Sequence, residues 1–104
     1  MKAIWNKQVI AEADKDDLIY IEGNWYFPPS SVKSEFLEKS DTPYTCPWKG
    51  VCQYFNVVGE VDGQKKESAD DAWSYPKPLE SAIHSVKKDF SNYVAFWRDV
   101  SVEE

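Results

Sequence analysis

The segment Asp41-Thr42-Pro43-Tyr44-Thr45-Cys46-Pro47-Trp48-Lys49-Gly50, running into Val51-Cys52-Gln53-Tyr54-Phe55, gathers both cysteines, two of the six prolines and a Trp-Lys-Gly triplet. Its chemistry can be of two kinds. A lysine beside aromatic rings can bind an anion, make a cation–π contact or carry a lowered pKa. For Lys49 the competing role is a structural salt bridge. A cysteine becomes a nucleophile only where its pKa is lowered. Lys49 could do that for Cys46, but nothing places the single histidine, His84, nearby. A buried, inert thiol is the commoner outcome. Cys52 lies mid-strand and reads as core.

The local sequence makes this segment a rigid corner. Pro47 fixes its own φ and restrains Cys46 to extended geometry. Gly50 allows close backbone approach or a bulge where the next strand begins. Trp48 and Lys49 are held between them. A second candidate wall is Trp73-Ser74-Tyr75-Pro76. Its two aromatics are at i and i+2, on one side of a strand. With Trp48 and Tyr54 they can wall a pocket, and the alternative is that all four are core. Buried Tyr hydroxyls and Trp N–H groups need partners, which favours a cleft.

Metal and redox chemistry are disfavoured. Two cysteines six positions apart with one remote histidine do not make a four-ligand zinc site, and in extended chain they are too far apart to bridge. No metal or cofactor is expected, and free thiols are. His84 reads as a surface or capping residue, and Asp70-Asp71 as a solvated turn.

Composition bounds the class. The chain has 104 residues, which predicts one domain over 1–104. Aromatic residues make up 15% of it, with five Trp and six Tyr; most must be core, and a surplus is left for a site. Net charge is −6, which argues against nucleic acid and anionic membranes as partners. No apolar run is long enough to span a bilayer, and the first residues lack a signal-peptide pattern, so the expected compartment is the cytoplasm.

The elements that must position the corner are mostly short strands. Ala3–Trp5 and Gln8–Ala13 read as a hairpin about Asn6-Lys7, and Leu18–Glu22 and Trp25–Phe27 as strands about Gly23-Asn24. Ser31 and Glu35 can cap a short helix over Val32–Leu37. Lys39–Pro43 reads as a polar loop. Val51–Val58 is apolar on both faces, as expected of a central strand with core on one side and a pocket or second layer on the other. Asp62-Gly63 signals a hairpin, Glu67–Tyr75 the return strand, Leu79–Val86 a short helix and Asn92–Trp97 the last strand, with alternate members lining the pocket. Arg98–Glu104 reads as a charged tail. The sum is a small, mainly antiparallel β pseudo-barrel or pair of packed sheets with one or two short helices.

Several motifs, in order, carry a resemblance that spans nearly the whole chain. Thr45-Cys46-Pro47-Trp48-Lys49-Gly50 with Tyr54, Ala72-Trp73-Ser74-Tyr75-Pro76-Lys77-Pro78, and Tyr93-Val94-Ala95-Phe96-Trp97 resemble the family called domain of unknown function 427, catalogued as nucleotidyltransferase-like. Ile4-Trp5-Asn6, Val9–Glu12 and Ile21–Pro28 resemble its N-terminal half. The resemblance implies a compact antiparallel β domain similar to tent-like, Mss4-like folds, and it brings no established activity. Some tent-like relatives hold ligands in an aromatic cage and carry zinc. This chain lacks paired Cys-x-x-Cys ligands, so the zinc is not carried over. The catalogue label finds no Gly-Ser element followed by a spaced carboxylate pair able to hold two Mg²⁺.

Three functions remain open. The first is a small-molecule-binding domain whose pocket is walled by Trp48, Tyr54, Trp73 and Tyr75 with Lys49 as polar anchor. The second is an enzyme using Lys49 or Cys46 on a nucleotide-like or carbonyl substrate, a narrower form being a thiol reductase with Cys52 as resolving thiol. The third is an interaction module, with monomer or homodimer both open.

Overall fold

The computed structural model describes residues 1–104. Nine strands run antiparallel: β1 Lys2–Trp5, β2 Gln8–Glu12, β3 Ile19–Ile21, β4 Asn24–Tyr26, β5 Leu37–Cys46, β6 Gly50–Val61, β7 Gln64–Ser74, β8 Val94–Phe96 and β9 Ser101–Glu103, with one α-helix, α1 Glu80–Val86. They form three sheets, ordered β2-β1-β9, β3-β4 and β5-β6-β7-β8. The mainly β, antiparallel expectation holds. No sheet closes into a barrel, and there are three sheets instead of two.

Three hairpins are set by two-residue turns with both residues at positive φ: Asn6-Lys7, Glu22-Gly23 and Asp62-Gly63. This is the turn geometry that matches the twist of antiparallel strands. The second turn lies one residue earlier than Gly23-Asn24, because Ile21 pairs with Asn24. Phe27 continues β4 and exchanges both backbone hydrogen bonds with Val94 of β8, at 2.8 and 2.9 Å, so the small β3-β4 hairpin is tied to the large sheet.

The large sheet carries core on both faces. Phe55, Val57, Ala72, Val94 and Phe96 pack with Ala3, Trp5 and Ile10 of the β2-β1-β9 sheet in one cluster. Cys52, Tyr54, Trp73, Tyr75 and Ala95 pack with Ile19, Ile21, Tyr26, Ala82 and Phe90 in the other. The two-faced apolar pattern of β6 therefore reflects a strand in the middle layer. Val51 departs from it and is exposed.

Other expectations fail for reasons of pairing. Residues 32–37 form no α-helix: there are 3-10 turns at Pro29–Ser31 and Ser34–Phe36, and the segment is too short to nucleate a longer helix. Lys39–Pro43 is part of β5 instead of a loop. The C-terminal tail contains β9, which pairs with β1. Asp70-Asp71 lies within β7, and Asp71 is buried. Cys46 and Cys52 lie on neighbouring strands of one hairpin, since Cys46 pairs with Gly50 and Tyr44 with Cys52.

Candidate functional site

The turn between β5 and β6 forms the corner. Gly50 has φ +113°, and a Cβ there would lie 3.4 Å from the Lys77 carbonyl oxygen. Both conditions select glycine. The Leu79 amide donates to the Lys49 carbonyl at 3.0 Å, which ties the corner to the start of α1. Thus clamped, the Lys49 side chain turns inward, and the residue as a whole is only 6% exposed.

Lys49 Nζ donates to Glu22 Oε1. It also lies 5.2 Å from the Trp48 ring centre and 5.0 Å from that of Tyr75. Burial pulls the lysine pKa down, but the Glu22 carboxylate, with Tyr26 and Cys46 nearby, outweighs it and holds Lys49 above its ordinary value. The hydrogen bond from Lys49 holds Glu22 below its own. Both partners are therefore charged at neutral pH, and Lys49 is a fixed ammonium with the structural salt bridge that was one of its two expected roles. Glu22 reaches it from the left-handed first position of the β3–β4 turn, at φ +52°.

Lys49, Tyr54, Trp73 and Tyr75 line one cleft of about 250 Å³, together with Tyr44 and Trp97. Trp48 lies outside the lining and backs the ammonium. Trp73 and Tyr75 are 8% and 3% exposed and form the floor, while Tyr44 and Trp97, at 46% and 38%, form the mouth. Tyr54 and Trp97 are nearly parallel, 17° apart with centroids separated by 6.4 Å. Trp97 meets Trp73 edge-on at 5.2 Å. The indole N–H groups are used internally: Trp73 Nε1 donates to the Tyr26 hydroxyl at 3.0 Å and Trp97 Nε1 to the Asp70 carbonyl at 2.6 Å. Neither N–H is therefore left for a molecule in the cleft. Burial pushes the phenols of Tyr54 and Tyr75 up, so both stay neutral. The Tyr75 hydroxyl lies against the Cys52 thiol.

Two bulges shape the mouth. Between the pairs Lys39–Phe55 and Pro43–Gln53, three β5 residues face Tyr54 alone. Between Phe55–Ala72 and Val57–Ser68, three β7 residues face Asn56 alone. Extra residues in a strand bend it and leave backbone groups to be satisfied otherwise. Gln53 Nε2 donates to the Ser40 carbonyl at 3.0 Å, and the Asp70 amide donates to Asn56 Oδ1 at 3.0 Å. The Thr42 hydroxyl donates to Asp70 Oδ2 at 2.7 Å, joining the two bulges across the central strand. Asp70 Oδ1 remains buried without a partner. Asp71 accepts the Asp99 amide at 3.1 Å.

The thiols are enclosed by the fold. Cys46 and Cys52 are free and buried. Burial pushes Cys52 up to about 11. The opposed pairs Cys46–Gly50 and Tyr44–Cys52 make the two cysteines diagonal neighbours, a placement whose backbone positions are about 7–8 Å apart by strand geometry, which is too far for a disulfide without backbone movement. His84 is exposed near the end of α1. No group of three or more His, Cys, Asp or Glu side chains converges as metal ligands, and no helix is long and apolar enough to cross a membrane.

The sequence reading missed Tyr44, Glu22 and Tyr26. Tyr44 carried a readable signal, since it alternates with Cys46 ahead of the corner. Glu22 and Tyr26 carried none, because only the docking of β3-β4 onto the large sheet brings them to Lys49 and Trp73.

Fold and cleft together define a small antiparallel β domain with an aromatic-walled pocket floored beside a buried ammonium. The chain belongs to the family described as Domain of unknown function (DUF427), whose model matches residues 1–104. A comparison with curated proteins finds no match.

Proposed function

We propose that this domain binds a small planar molecule in the aromatic cleft. The observation that supports this reading is the convergence of five aromatic side chains and the Lys49 ammonium on about 250 Å³. That volume lies just under the range of roughly 300–1,000 Å³ usual for ligand pockets, so it suits one ring system better than an extended cofactor. Each ring stacked on an aromatic wall adds about 0.5–1.5 kcal/mol beyond area burial. The floor is pre-organised, because the Trp73 indole and the Lys49 ammonium are both held by partners outside the cleft. Pre-organisation lowers the ordering cost of binding. A net charge of −6 supports a small ligand over nucleic acid or an anionic bilayer as the partner.

The test is a thermal-shift screen of planar aromatic metabolites on the wild-type protein and Tyr54→Ala. A ligand at 100 times its Kd stabilises the native state by about 2.7 kcal/mol. The expected result is a compound that raises the wild-type Tm and leaves the folded Tyr54→Ala protein unshifted. Equal shifts in both proteins, or none in the wild type, would overturn the reading.

A further inference from the structure

The cleft's polar groups are of one kind. Among its six lining residues, Tyr44, Lys49, Tyr54, Trp73, Tyr75 and Trp97, there is no carboxylate and no carbonyl-bearing side chain. Trp73 and Trp97 spend their N–H groups within the protein. What is left is the Lys49 ammonium and the hydroxyls of Tyr44 and Tyr54, since that of Tyr75 lies against the Cys52 thiol. An ammonium has three N–H donors, and Lys49 gives one to Glu22. It also lies by the Tyr26 hydroxyl, which already accepts from Trp73, and by two ring faces, Trp48 at 5.2 Å and Tyr75 at 5.0 Å. A ring face is a weaker acceptor than an anionic oxygen in a desolvated site.

Glu22 approaches the ammonium from the β3–β4 turn and is 54% exposed, so the carboxylate charge is largely screened by solvent. The Lys49 side chain is only 8% exposed. The charged group at the cleft floor is therefore the ammonium, and the acid on the mouth side is Asp70, which acts on Tyr54 through space and is not among the lining residues.

Resting on the cleft-binding reading above, we infer that the ligand is a small aromatic carboxylate. Its ring lies against the faces of Tyr54 and Trp97, and its carboxylate accepts hydrogen bonds from Lys49 and a cleft tyrosine hydroxyl. A planar ring bearing a cation in the same position would meet Lys49 with like charge. Glu22 then acts as a positioning residue, holding the ammonium at the floor while competing weakly for it.

Benzoate and benzamidine, two planar single-ring probes of opposite charge, test this. Binding is followed through the indole N–H resonances of Trp73 and Trp97 in ¹⁵N-labelled protein. The expected result is benzoate binding at least tenfold tighter than benzamidine. Lys49→Met should remove that preference, and Glu22→Gln should tighten benzoate several-fold by freeing the ammonium. The second variant keeps the test valid if the first does not fold. Benzamidine binding as well as benzoate, or better, overturns the charge assignment and leaves the cleft reading standing. So does a benzoate affinity that Glu22→Gln leaves unchanged or weakens. If neither probe moves the Trp73 and Trp97 resonances, the cleft reading falls too.

Discussion

Lys49 and Glu22, 27 residues apart in sequence, form an ion pair in which the cation is buried and the anion half-exposed. The asymmetry decides what the pair does. Desolvation penalises a buried ammonium, and Glu22 with the surrounding rings offsets that penalty.

Replacing Glu22 should therefore destabilise the fold through Lys49. Glu22→Gln keeps the size of the side chain and can adopt the same turn. It is expected to cost about 1–2 kcal/mol at pH 7, less than the 3–5 kcal/mol of a fully buried broken pair, because water can reach the place of the exposed carboxylate. Glu22 is depressed below its ordinary 4.5, so its contribution is present above that pH and lost as pH falls through the folded value. Lys49 is raised above its ordinary 10.5, so its contribution is present below that pH and lost as pH rises further. Urea unfolding from pH 3 to 8 should show the two proteins converging at the acid end. A pH-independent difference would show that the pair is not the cause.

Gly59 is the tightest glycine in the protein. A Cβ there would lie 2.9 Å from Trp5 Cζ3 and 3.1 Å from two Phe36 ring carbons. Both rings pack in the cluster between the β2-β1-β9 sheet and the large sheet, and Trp5 is fixed by a 2.9 Å hydrogen bond from its Nε1 to Ser68. Overpacking a fixed ring costs about 1–3 kcal/mol. Gly59→Ala should lower stability by that amount in denaturant titrations, and a neutral effect would mean that Phe36 gives way freely.

The Cys52 thiol should be nearly inert in the native protein. A Cys52 pKa near 11 leaves roughly one thiol in a thousand ionised at pH 8, where an ordinary cysteine is about one-quarter ionised. Together with burial, this predicts labelling of Cys52 by iodoacetamide at least ~100-fold slower than in a free peptide. In guanidinium two thiols should label. Rapid native labelling at Cys46 alone would revive a nucleophilic role for that residue.

Much of the architecture was legible because it is local. Asn6-Lys7 and Asp62-Gly63 announce their hairpins, since a two-residue turn of positive φ depends on its own residues. The alternation of β6 announced a middle strand with two apolar faces, and Pro47 with Gly50 announced a rigid corner. Leu79–Val86 was readable as a helix for the same reason. β9 was not, because a three-residue polar strand is defined only by the β1 edge it pairs with. Nor were the bulges opposite Tyr54 and Asn56, because a bulge is a property of two strands in register.

The candidate site divides the same way. Trp48, Lys49, Tyr54, Trp73 and Tyr75 stood out in the sequence by residue type, strand parity and closeness to the corner. Whether Lys49 would be an amine or an ammonium could not be read from those features. Its charge is set by Glu22, which arrives on a separate hairpin held to the large sheet through Phe27 and Val94. The mouth of the cleft likewise depends on Trp97, whose ring is brought over Tyr54 by the β7–β8 pairing. Local backbone chemistry sets turns and faces within a few residues. Charge state and cavity shape come from groups distant in the chain, so they exist only once the three sheets have packed.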